Sequence, residues 1–144
     1  MKHQLALILL LIAVIYAMGQ PQARGQSTVP IYDVQESFFS DFPNAEKPSW
    51  TKEGAYYYVS FVQKTLNMRA KYTLTGTWLS TVISIKEAQL PQITRQYLTD
   101  KYADYSIVSI RFHDAVGNAY YQLAIQKGSV KKTLHFHENG NFWK

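Results

Sequence analysis

The run Tyr56-Tyr57-Tyr58-Val59-Ser60-Phe61 decides the fold. As a strand it puts Tyr57, Val59 and Phe61 on one face and Tyr56, Tyr58 and Ser60 on the other. Sixty-four residues further on, Tyr120-Tyr121-Gln122-Leu123 followed by Ile125 says the same thing again. The same offset matches Tyr72 with Phe136, Gly76 with Gly140 and Trp78 with Phe142. Upstream, an offset of sixty matches Phe42 with Tyr102 and Trp50 with Ile110. A duplicated unit with one four-residue length change accounts for both offsets.

Each copy opens on a helix. Val34, Phe38 and Phe42 recur every fourth residue and predict a helix over 34–42, with Asp33 as cap, Glu36 at the capping-box position and Pro43 as the stop. Leu90, Ile93, Tyr97, Leu98 and Tyr102 draw a second apolar stripe over 91–103, entered through Pro91. Alternating segments follow each helix: 47–52, 55–63, 68–75 and 77–86, then 105–114, 118–126, 130–137 and a short 141–144. Gly117-Asn118, Gly128-Ser129 and Asn139-Gly140 are tight-turn pairs between antiparallel neighbours. The sequence therefore predicts an α+β fold of two tandem repeats, 31–86 and 87–144, each one helix followed by a four-stranded antiparallel meander. Whether the two sheets join edge to edge stays open at this level.

The core is expected at Tyr57, Val59, Phe61, Ala70, Tyr72 and Leu74, and at Tyr121, Leu123, Ile125, Leu134 and Phe136, under the helices. Trp50 and Trp78 are expected to pack, and Trp143 to be exposed. Helices on one side leave the other face of an antiparallel sheet available. That face carries Tyr56, Tyr58, Ser60, Arg69, Lys71 and Thr73, matched by Tyr120, Gln122, Lys131, Thr133, His135 and His137.

The first residues read as an export signal. Lys2 precedes an apolar run from Leu5 to Ala17, and Ala17-Met18-Gly19 offers small residues for cleavage. The run is short for a span of about 20 residues. The expectation is a signal peptide over 1–19, a flexible leader over 20–30 and a domain over 31–144, periplasmic or secreted, without stable membrane insertion once the signal is removed. A retained anchor is the lesser alternative. There is no cysteine, so neither disulfides nor a lipid-bearing cysteine can serve this chain. The formal charge of +5 falls by one with Lys2, a weak preference for acidic partners. Eleven tyrosines are the more telling feature, since they favour strands with one wet face.

Phe42-Pro43-Asn44-Ala45, Trp50, Tyr57-x-Val59-x-Phe61, Ala70-x-Tyr72, Gly76-x-Trp78, Leu90-Pro91 and Tyr102 together resemble the PepSY-like family. It is also described as β-lactamase-inhibitor-like and is found as small secreted proteins of Bacteroidetes. The resemblance covers nearly the whole of the chain after the signal. It implies a tandem helix-plus-four-strand repeat similar to the β-lactamase inhibitor protein, with a concave sheet surface. It brings no catalytic residues, and a shared fold does not carry inhibition with it.

Catalytic signatures are missing from the sequence: no Gly-x-Ser-x-Gly elbow, no His-Glu-x-x-His, no Walker loop and no dinucleotide glycine pattern. The reading is non-enzymatic, with no cofactor. His135-x-His137 would project two imidazoles from one strand face, but they lack a third donor unless His113 or Glu138 comes close. They are read as solvated histidines, with a metal site as the sharper alternative. Basic residues interleaved with tyrosines suggest nucleic acid only superficially, because export removes that partner. The function expected is binding of an unidentified extracytoplasmic protein, with Tyr56, Tyr58, Arg69, Lys71, Tyr120, Gln122, Lys131 and His135 as contacts. A lipid-like or aromatic small-ligand carrier and a peptidase regulator acting in trans are the rivals.

Overall fold

Backbone parity organises the computed structural model, which describes residues 26–27 and 30–143. The signal segment, and the leader apart from Gln26, Ser27 and Pro30, lie outside the described residues. Seven strands form one antiparallel sheet in chain order: β2 (Glu46–Glu53), β3 (Tyr56–Gln63), β4 (Leu66–Thr73), β5 (Trp78–Ser84), β6 (Ser106–Ala115), β7 (Asn118–Lys127) and β8 (Val130–His137). A two-residue β1 (Gln26–Ser27) is added to the outer edge of β2, opposite Lys52 and Thr51. Gln26 and Ser27 fall within the segment expected as a leader. The edge of β2 offers unpaired backbone groups, and a polar segment can satisfy them as well as an apolar one.

Helix α1 (Tyr32–Asp41) precedes β2, and α2 (Gln92–Tyr102) lies between β5 and β6. α1 begins earlier than its periodicity suggests. Its N-cap is Ile31, without a side-chain cap, and Asp33 sits inside the first turn, so the expected Asp33–Glu36 capping box is not formed. The Phe42 N–H donates to the Phe38 carbonyl at 2.8 Å and closes the helix.

Val34 and Phe38 are fully buried on Tyr57, Val59, Phe61, Ala70 and Tyr72. Phe38 is the centre of this cluster, with the rings of Trp50, Phe61 and Phe42 at 5.1, 5.0 and 5.7 Å. The Tyr72 hydroxyl donates to Asp41 Oδ2 at 2.8 Å. Burial first, then that carboxylate, pushes the phenol well above its ordinary range. A second cluster joins Leu90 and Leu98 to Ile110, Leu123, Ile125, Leu134 and Phe136. Tyr121 is only half-buried against it, and Trp50 and Trp78 are half-buried against the first cluster.

Two core expectations are corrected. Leu74 is exposed, because β4 ends at Thr73 and the chain turns away toward Gly76. Ile93 is also exposed, while Thr94 is fully buried with its hydroxyl donating to the Gly140 carbonyl at 2.9 Å. The buried stripe of α2 thus passes through a threonine whose polar atom is satisfied by a distant turn. The short last strand expected over 141–144 is a single bridge, Phe136 to Phe142.

β5 and β6 pair from Ser80–Ala115 to Ser84–Arg111, so the sheet is continuous across the middle. One transverse row reads Phe61, Met68, Ile83, Phe112, Tyr121, Phe136, all on the helix side. The neighbouring row reads Ser49, Ser60, Arg69, Val82, His113, Tyr120, His137, on the other side. Both helices therefore cover the same face, and the opposite face is left open.

Candidate functional site

The open face holds three groups of side chains. On β3 and β4 the registers Tyr58–Lys71, Ser60–Arg69 and Tyr56–Thr73 bring the first four expected contacts together. Arg69 Cζ lies 4.3 Å from the Tyr58 ring centre, and Lys71 Nζ lies 3.8 Å from that of Tyr56 and 5.7 Å from that of Tyr58. Arg69 Nη2 also donates to Glu53 Oε1 at 2.8 Å. Exposed cation–π pairs contribute about 0.5–1 kcal/mol each. Their larger effect is to hold the tyrosines in fixed rotamers, so less side-chain entropy is lost when a partner arrives.

The second group forms a groove of about 570 Å³ across the middle of the sheet. Ser49, Ser60, Val82 and Ser84 line it, and Lys47, Arg69, Arg111 and His113 border it with basic groups. Lys47 reaches it from a bulge where the β2–β3 register slips between Glu46 and Ser49, and its backbone is left-handed, with φ of 53°. A strained non-glycine residue in an edge bulge re-aims a side chain. Among the described residues the ion pairs are Arg69–Glu53 and Lys127–Asp104; Lys47, Lys71, Arg111 and Lys131 make none. Sequence reasoning missed Lys47 and Arg111, and weighed His113 only as a third metal donor. Parity along β6 could have found Arg111 and His113, whereas the bulge that delivers Lys47 leaves no trace in the pattern.

The third group lies at the far end of the face. The Tyr120 ring stacks on His113 at 4.6 Å, 3° from parallel, and Trp143 stacks on His137 at 5.0 Å and 15°. Tyr120 and Trp143 meet at 88°, and His135 packs beside both. His113 Nε2 shares a hydrogen bond with Gln122 Oε1 at 2.8 Å. Tyr120, Gln122 and His135 are thus together. Lys131 is separate: it pairs with Gln126 on the outer strand, four strand spacings from Lys71, about 19 Å. Among the described residues no group of three or more His, Asp or Glu side chains could hold a metal ion. His135 and His137 are engaged with aromatic rings. On the helix side a recess of about 300 Å³ lies beside Leu98, Tyr102 and Ile107.

Burial holds His113 below its ordinary value; Arg111 and His135 push it the same way, against the hydrogen bond that His113 donates to Gln122 Oε1. A folded state that resists protonation is stabilised above the unfolded pKa, and that contribution is lost as pH falls through the lower, folded one. The Tm should therefore fall between about pH 7 and pH 5, below the unperturbed imidazole value. Thermal melts of His113→Gln should show a shallower fall. An equal slope in the variant would mean that His113 adds nothing to the pH dependence.

No family model and no curated protein matches the chain. Solved structures do. A BLIP-like protein from Bacteroides fragilis superposes with a TM-score of 0.74 at 17% identity, over 81% of this chain and 85% of that one. A DUF2874 family protein from Bacteroides ovatus gives 0.73 at 18% identity, over 81% and 86%. A candidate periplasmic protein from Bacteroides eggerthii gives 0.73 at 16%, over 81% and 88%. These likenesses show the fold: an α+β chain with an antiparallel sheet and two helices, of the BLIP-like kind. No helix among the described residues is long and apolar enough to cross a membrane.

Proposed function

We propose that this chain is an exported, non-enzymatic binding protein that takes an acidic segment of a protein partner on the open face of its sheet. The observation that carries the reading is the groove itself. Lys47 and Arg111 line it and, among the described residues, stand without ion partners, while Glu53 is held by Arg69. Unpaired cations around a floor of serines and apolar side chains attract and orient carboxylates. Tyr56 and Tyr58, already ordered by their cations, supply rigid contact area. Export is supported by the N-terminal apolar run and by the Bacteroides eggerthii neighbour's description.

Descent from a duplicated PepSY-like unit belongs to the same reading. Val34, Phe38 and Phe42 stand sixty residues before Thr94, Leu98 and Tyr102, and Tyr72 and Phe136, sixty-four apart, are both fully buried. Gly76 and Gly140 both have positive φ, and each packs against the first turns of its own helix.

Binding of a fluorescent glutamate-rich peptide, followed by anisotropy at several salt concentrations, tests the functional reading. The wild type should bind with affinity falling as salt rises. The double variant Lys47→Glu, Arg111→Glu should lose at least about 2 kcal/mol, roughly thirtyfold, with an unchanged Tm. Binding indifferent to both salt and charge reversal would sink the proposal.

A further inference from the structure

The chain's last described residues build a site that the basic groove does not use. Phe142 turns inward and stacks on Tyr97 with ring centres 4.8 Å apart, so its neighbour Trp143 turns out over the open face. The backbone fixes it there: the Trp143 N–H donates to the His135 carbonyl, and the His137 N–H to the Asn141 carbonyl, both at 2.8 Å. The indole stands at 88° to the Tyr120 ring, with centres 5.6 Å apart. The His135 imidazole closes the corner at 5.8 Å from Tyr120 and 6.2 Å from Trp143. Each wall is backed by a second ring, His113 behind Tyr120 and His137 behind Trp143. Aromatic walls braced in this way are preorganised, which lowers the entropic cost of binding. The recess they enclose measures about 400 Å³, is open to solvent, and is lined by Asn118, Tyr120, His135 and Trp143.

The chemistry of that lining selects its occupant. Among the described residues it has no carboxylate, and Arg111 lies in the adjacent row, opposite Gln122 and through it His135, so a cation gains little from the rings. An anion finds its lysine and arginines in the groove, not here. An aliphatic chain would leave the Asn118 amide, the imidazole and the phenol without partners, which costs affinity. A neutral, ring-shaped ligand with apolar faces and a hydroxyl rim satisfies both kinds of surface. Its C–H face packs on an aromatic wall, and its hydroxyls reach the amide, imidazole and phenol.

We propose that the Tyr120–His135–Trp143 corner binds a single neutral sugar ring of a glycan, independently of the acidic protein segment assigned to the groove.

The test is saturation-transfer NMR on the full chain with a panel of neutral hexose and N-acetylhexosamine oligosaccharides, alongside tryptophan fluorescence. At least one saccharide should show transfer and a Kd of about 1 mM or tighter. Trp143→Ala and Tyr120→Leu should each weaken it about tenfold or more, as removal of one aromatic anchor does. The double variant Lys47→Glu, Arg111→Glu should leave it unchanged even though it weakens peptide binding, which separates failure of this site from failure of the groove. No transfer from any saccharide at about 10 mM would overturn the assignment. So would sugar binding untouched by both ring variants, or tetramethylammonium or tyrosine amide proving the better ligand.

Discussion

Gly140→Ala is expected to destabilise the protein by about 2–4 kcal/mol and to lower the Tm by about 10 °C. Gly140 has a φ of +89°, which an alanine adopts only under strain. A Cβ there would also stand 2.5 Å from Ile93 Cγ2, 2.7 Å from Pro91 Cβ and 3.0 Å from Thr94 Oγ1. The turn carrying Gly140 docks on the first turn of α2, and its carbonyl is the partner of the buried Thr94 hydroxyl. Pushing the turn away therefore costs contact and leaves a buried donor unsatisfied. Gly117 is the control, with a φ of +73° and open space around its missing Cβ, so alanine there should cost only backbone strain, about 1 kcal/mol. Gly76 should fall between them, since its nearest neighbour is the Ser37 hydroxyl, which can rotate, although the Asp33 carbonyl 3.0 Å away cannot. Chemical denaturation of the three variants checks the order. Equal losses at Gly140 and Gly117 would show that docking of the turn on α2 contributes nothing.

Much of this fold is legible because strand parity and helix period are local. The Tyr57-Val59-Phe61 alternation puts those three residues in the core, and the same alternation turns Tyr56, Tyr58, Arg69 and Lys71 to the open face. What the sequence hides is set by contacts between distant segments. Thr94 looks polar, yet it is buried because Gly140, in a turn far along the chain, accepts its hydroxyl. Leu74 looks like the next core residue of β4, yet the strand ends one residue before it. Gln26 and Ser27 look like linker and become edge strand through backbone bonds that composition does not record.

The candidate site divides along the same line. The tyrosine–cation ladder on β3 and β4 follows from alternation alone. The groove needs Lys47, which arrives by a register slip at Lys47-Pro48, and Arg111, which comes from the strand that joins the two halves of the sheet. The aromatic corner needs Phe142 pinned inward, so that Trp143 is carried onto Tyr120.

The largest core effect should come from Phe38→Ala, a loss of about 3–5 kcal/mol. The Phe38 ring is fully buried, and Trp50, Phe61 and Tyr72 surround it edge-on, so truncation leaves a cavity that rigid rings cannot close. The loss should also be uneven. The clusters under α1 and α2 are separate, and the described link between them is the β5–β6 pairing. Strands held by a weakened core open more readily than strands held by an intact one. Amide hydrogen exchange of the variant should therefore show β2, β3 and β4 losing protection first, while β7 and β8, packed on Leu123, Ile125, Leu134 and Phe136, keep more of theirs. Uniform loss across all strands would mean that the continuous sheet couples the two cores into one cooperative unit, and that the β5–β6 seam is as strong as any other pairing in it.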